Sequence, residues 1–265
     1  MTDGLPLPPW DHQRTCDLVA EEISRFADLV QGADMDRTVA TCPDWSMGKL
    51  IRHVGTVHRW AGAMVDAAAP ERIDPRTLDL GLPEHPSWLP GWLASGGDEL
   101  VDRLRRADPD QPMWAWGADQ HTRFWARRML HESLVHRSDA EITLGTDTHP
   151  SADPEIAVDG IDELFTNLPS AAAFSPALRD MHGKGSFGIA GSDSTAEWVV
   201  TLLDDGFDAR RVATAEAREA DALLTGFTGE LLMLLYRRQS LETTNATVAG
   251  DVEVVTAFLD HAALQ

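Results

Sequence analysis

The chain has 265 residues, 43% hydrophobic and 25% charged, the make-up of a globular protein with room for one large domain or two ordinary ones. A formal charge of −21 argues against a nucleic-acid partner, which needs a basic surface, and disfavours an anionic membrane. Cys16 and Cys42 are too few for a disulfide framework and read as free thiols; without a basic-then-apolar leader or an apolar run long enough for a bilayer, the default location is the cytoplasm.

Residues 9–31 predict an amphipathic helix, with Cys16, Val19, Ile23, Phe26, Ala27 and Val30 at helical spacing and Gly32 at its C-terminal end. A loop ending in Cys42-Pro43-Asp44-Trp45-Ser46 offers Asp and Ser as caps for a second helix, roughly Met47 to Ala68. The segment Pro70 to Pro90, rich in Pro and Trp, has few periodic features and reads as a surface wrap or a lid. A third helix fits Gly91 to Ala107 and a fourth runs from about Thr122 to Thr143, stopping near Gly145. Four amphipathic helices with one long connection suggest a bundle. After Pro150 the pattern changes. A helix near Pro154 to Phe165 precedes strand-like runs at Ser186 to Ala190, Glu197 to Leu203, Arg210 to Thr214 and Ala222 to Thr225, with a turn at Asp204-Asp205-Gly206. A helix over Thr228 to Arg238 and a last one that starts around Val248 to Asp251 complete an α+β domain. The expected domains are 1–150 and 151–265.

The fourth helix carries the most informative residues. On a helical wheel Phe124, Trp125, Met129, Val135, Ala140 and Ile142 share one side, and Glu132 and His136 lie inside that arc, one turn apart. A carboxylate buried without a partner costs several kcal/mol or becomes neutral. A divalent cation would satisfy both groups, and imidazole plus carboxylate suits zinc or another first-row metal; the plainer reading is a Glu–His hydrogen bond inside the core. His53 and His58 flank the apolar stripe of the second helix, and periodicity does not choose between them. His131-Glu132 followed by His136 is one residue too long for a zincin motif, so a metalloprotease is not indicated. Asp139 shares the Glu132/His136 face and is placed to orient a ligand.

Thr41-Cys42-Pro43-Asp44-Trp45-Ser46, then Leu50-Ile51-Arg52-His53-Val54-Gly55 and His58-Arg59-Trp60, resembles the opening of mycothiol-dependent maleylpyruvate isomerase-like proteins, within the wider DinB-like group of metal-binding four-helix bundles. Leu130 to Ala140 is similar to their second metal motif. Asp221 to Gly226, Gly229 to Arg238 and Val248 to Asp251 resemble that family's sterol-carrier-like C-terminal domain. The resemblance implies metal ligands His53, Glu132 and His136, with zinc first but Ni²⁺, Co²⁺ or Fe²⁺ compatible. It implies mycothiol as thiol cosubstrate, bound as a thiolate that attacks a small electrophile, in an isomerase or S-transferase. It places a functional arginine nearest Arg237 or Arg238. Cys16 and Cys42 are poor nucleophile candidates beside such a thiol. Two other readings compete: a non-catalytic zinc-binding module and a metal-dependent hydrolase. The sequence leaves monomer or homodimer open.

Overall fold

The computed structural model describes residues 8–146, 152–173, 177–178, 181, 183–213 and 215–262. The chain divides into two compact units, Trp10–Thr148 and a second comprising His149–Gln265 with Met1–Pro9. Among the described residues no helix is long and apolar enough to cross a membrane.

The first unit holds α1 (His12–Leu29), a short hairpin of β1 (Thr38–Val39) and β2 (Cys42–Ser46), then α2 (Met47–Asp66), α3 (Leu89–Arg106) and α4 (Thr122–Leu144). Local chemistry sets the ends. Asp11 accepts the Arg14 amide to start α1, Ser46 accepts the Lys49 amide to start α2, and Gly145 closes α4 at φ 70°. Helix α3 begins at Leu89, earlier than the Gly91 expected, because Pro90 fits a first turn where no amide is needed. The expected loop before α2 contains a strand: β2 pairs with β1 through Val39↔Cys42 and Thr38↔Ser46. Phe26, Val30, Val39, Met47, Leu50, Ile51, Val54, Leu89, Leu93 and Ala140 form the apolar centre.

Close approach of α2 and α3 depends on glycine. A Cβ on Gly55 would meet the Trp92 ring at 2.2 Å, and one on Gly96 would meet the Arg59 guanidinium at 2.0 Å. That guanidinium lies over the Trp92 ring, 4.0 Å from its centroid. Residues 70–88 wrap along these helices through two short 3₁₀ turns, Pro75–Thr77 and Pro86–Trp88. Indole N–H groups tie the segment down: Trp60 donates to the Ile73 carbonyl at 2.8 Å, Trp92 to the Leu80 carbonyl at 2.9 Å.

Helix α4 departs from the single apolar stripe read from its sequence. Seventeen of its 23 residues are buried, so it is covered on all sides rather than along one. Several of its polar side chains find partners within the unit. Arg137 Nε donates to Glu22 Oε2 of α1 at 2.6 Å, and the hydroxyls of Ser133 and Ser138 donate to carbonyls four residues back.

The second unit has α5 (Pro154–Asn167), β3 (Ser186–Gly191), β4 (Glu197–Leu203), β5 (Gly206–Val212), β6 (Ala222–Gly226), α6 (Thr228–Leu235), β7 (Thr247–Gly250) and α7 (Val252–His261). The sheet order is β5-β4-β3-β6-β7, antiparallel throughout except for the parallel pair β3 and β6. Phe187, Phe258, Phe207 and Phe165 pack ring to ring, joining α5 and α7 to the sheet. Three expectations need correction. Strand β5 starts at Gly206, the last residue of the predicted turn, because all seven of its residues pair with β4. Residues 247–250 form an edge strand on β6 rather than opening the last helix, which Asp251 caps instead. Helix α6 stops at Leu235, and Arg237 takes left-handed backbone at φ 60°.

A candidate metal centre in the helical unit

The structure brings together His53 from α2 and Glu132 and His136 from α4. One donor atom from each lies within 4.8 Å of the others. His53 Nε2 is 3.1 Å, and His136 Nε2 3.3 Å, from the same oxygen, Glu132 Oε1. The other carboxylate oxygen, Oε2, is 3.3 Å from Nη2 of Arg128, one turn earlier on α4. On its far side His136 Nδ1 meets Asp139 Oδ2 at 2.8 Å, and Asp139 Oδ1 accepts the Thr41 hydroxyl at 2.5 Å.

Trp45, at the end of the hairpin, walls one side. Its ring centroid is 4.8 Å from that of His53 and 6.2 Å from that of His136. The exposed Lys49 ammonium sits over the outer Trp45 face, 5.1 Å from the centroid.

The electrostatics are those of an anion held between cations. Burial works to raise the Glu132 carboxyl, but the His136 charge, hydrogen bonds from both imidazoles and Arg128 outweigh it and hold it well below the usual carboxylate range. Burial likewise opposes a charged His136, yet the Glu132 charge and the Asp139 hydrogen bond push it up to about 9. Without a cation, then, a proton occupies the centre. Two imidazole nitrogens and a carboxylate oxygen converging on one point, with an outer carboxylate on one imidazole, fit a zinc-type ion.

The neighbouring histidines face elsewhere. His58 is fully buried and its Nε2 contacts Ser133 Oγ at 3.0 Å; burial pushes it down to about 3. His131 is fully buried outside the donor group. Cys16 is buried beside His12, its thiol pushed up to about 11 by burial, and Cys42 is half-buried in β2. Among the tryptophans, Trp92 is buried against α2, and Trp114 packs with Trp60 and Trp125. Trp88 is 62% exposed. In the second unit Arg237 is exposed and pairs with Asp260 at 2.9 Å, while the half-buried Arg238 donates to the Tyr236 carbonyl at 2.9 Å. Sequence reasoning passed over Arg128, although its position four residues before Glu132 is the spacing of a helical ion pair. It also gave no role to Trp45.

The family described as "Mycothiol maleylpyruvate isomerase N-terminal domain" matches residues 16–141. No curated protein sequence matches the chain. Among solved structures, a crystal structure of the mycothiol-dependent maleylpyruvate isomerase aligns with TM-score 0.60 at 14% identity, covering 91% of this chain and 95% of that one. A histidine-to-alanine mutant of that enzyme aligns with TM-score 0.58 at 12% identity, covering 90% and 93%. At such identities the likeness is one of fold. Through residues 16–141 the chain is similar to the N-terminal domain of the mycothiol maleylpyruvate isomerase family.

Proposed function

We propose that this protein is a mycothiol-dependent isomerase that binds one divalent cation and adds the thiol reversibly to the conjugated double bond of a small acidic electrophile. The convergence of His53, Glu132 and His136 within 4.8 Å carries the reading, supported by the family of residues 16–141. These three side chains would hold the cation, zinc being the first choice for such donors. When bound, it supplies the charge that keeps a thiol deprotonated at neutral pH.

The chain's own residues do the rest. Glu132 Oε1 and the two Nε2 atoms face one another, and the cation would take the place of the protons held between them. Trp45 covers the imidazole rings and excludes water from that side. Of the two arginines that the resemblance implies, Arg238 is the one we favour for a functional role, because Arg237 is exposed and engaged with Asp260.

The test is elemental analysis of wild type and His136→Ala, each titrated with mycothiol, followed by turnover of maleylpyruvate as first electrophile. About one cation per wild-type chain, absent from the variant, with thiol binding that follows the metal, is the expected result. Metal without thiol affinity would overturn the thiol step and favour a hydrolase or a non-catalytic zinc module. No metal after reconstitution would overturn the centre. A product that retains sulfur would make the reaction an S-transfer.

A further inference from the structure

We propose that Arg128 and Asp139, the latter clamped by Thr41, are positioning residues that select which atoms of Glu132 and His136 face the cation. The inference rests on the metal-centre reading above and adds to it an outer frame built from the β1–β2 hairpin and α4.

Asp139 is fully buried. An ionised carboxylate can only accept, so the neutral His136 ring must keep its proton on Nδ1, 2.8 Å from Asp139 Oδ2. With a cation in place of the Nε2 proton, Nε2 would turn its lone pair to that cation, and the tautomer protonated at Nε2 alone is disfavoured. Asp139 is itself held from two directions. The Thr41 hydroxyl donates to Oδ1 at 2.5 Å. Its backbone carbonyl accepts from Thr143 Oγ1 at 2.7 Å, and that same oxygen accepts the Ala40 amide at 3.0 Å. Two consecutive hairpin residues, 98 or more positions from their partners, are thus fastened to one turn of α4. The fastening also delivers Trp45, four residues on, to the imidazole rings.

Arg128 performs the matching selection on Glu132. It is 4% exposed and engages Oε2, so the oxygen presented to both imidazoles is Oε1. Glu132 is thereby presented through a single oxygen.

The experiment measures affinity for Zn²⁺ alone by competition with a chromophoric chelator, together with urea stability of the metal-free proteins. Outer partners of ligating histidines are worth roughly 10–100-fold in metal affinity. Asp139→Ala should lose that much, and Asp139→Asn, which keeps an acceptor but not the charge, should lose less. Because a buried Asp139 variant can fail to fold, Thr41→Val is the decisive second variant. It should weaken zinc several-fold, with Thr41→Ser restoring it, and the ¹⁵N signals of His136 in the zinc-loaded protein should show Nδ1–H weakened or mixed in Thr41→Val. Arg128→Gln should also weaken zinc. Equal zinc affinity in wild type and in folded Asp139→Asn and Thr41→Val would overturn the inference while leaving the centre intact. Failure of the wild type itself to bind zinc would instead overturn the reading beneath it.

Discussion

Acidification from pH 7.5 to 5 should destabilise the Trp10–Thr148 unit by about 2 kcal/mol through His58 alone. Its ordinary value is 6.5 and burial pushes it down to about 3, so at pH 5 the folded protein keeps the ring neutral while the unfolded chain protonates it. The unfolded state therefore binds more protons throughout the window from 6.5 down to about 3, and stability falls as pH falls through it. At pH 5 an unfolded histidine is about 97% protonated, a factor of roughly 30 in the equilibrium, or about 2 kcal/mol. That figure depends only on the folded value lying well below 5. Burial outweighs the Glu132 charge, which favours the charged ring; Nε2 is committed to Ser133, and Ser133 in turn donates to the Met129 carbonyl. Urea unfolding followed by tryptophan fluorescence reports on the right unit, since of the nine tryptophans only Trp198 lies outside it. His58→Asn keeps a polar contact for Ser133 and cannot titrate. The wild type should lose about 2 kcal/mol more than the variant between the two pH values. Parallel pH profiles would refute the reasoning and mean that the ring finds water or a carboxylate when it charges.

Three further outcomes follow from the geometry. Glu22→Ala should cost about 1–3 kcal/mol in urea unfolding, because it removes the α1 partner of the buried Arg137 guanidinium and leaves Glu141 to hold the charge; Glu22→Gln should cost less. Gly55→Ala should cost at least about 1–3 kcal/mol by driving a methyl into the Trp92 ring, a loss read as a lowered unfolding midpoint. In a thiol-dependent turnover assay Arg238→Ala should depress kcat/KM by at least tenfold, whereas Arg237→Ala should leave it within about twofold, since truncating an exposed ion pair is worth ~1 kcal/mol or less.

The helical unit was largely legible because its signals are local. Apolar spacing gave the buried face of α1, Ser46 marked the start of α2, and Gly145 the end of α4. What escaped was set by partners far along the chain. A two-residue β1 and a β2 containing Pro43 leave almost no periodic trace, and β7 exists only because β6 offers it an edge. The burial of α4 on every side was hidden by Arg137, Ser133 and Ser138, polar residues that read as solvent-facing until their partners are known. At the site, Glu132 and His136 were legible one turn apart. Between His53 and His58 periodicity does not distinguish, and the resemblance implies His53; in the fold one ring reaches Glu132 and the other Ser133, although both lie beside the same stripe.

The envelopment of α4 has a consequence for where this molecule breathes. A helix screened by its neighbours on every side cannot shed amide protons by fraying outward; its exchange with solvent waits for the whole unit to open. The 70–88 wrap, held by two indole bonds and otherwise exposed, can open alone. In deuterium labelling, the backbone under Glu132 and His136 should be among the slowest to exchange in its unit and that wrap among the fastest. Two of the three candidate donors thus sit on the stillest segment of the unit, so a cation arriving there would meet them already aligned and would spend little of its affinity on ordering the chain.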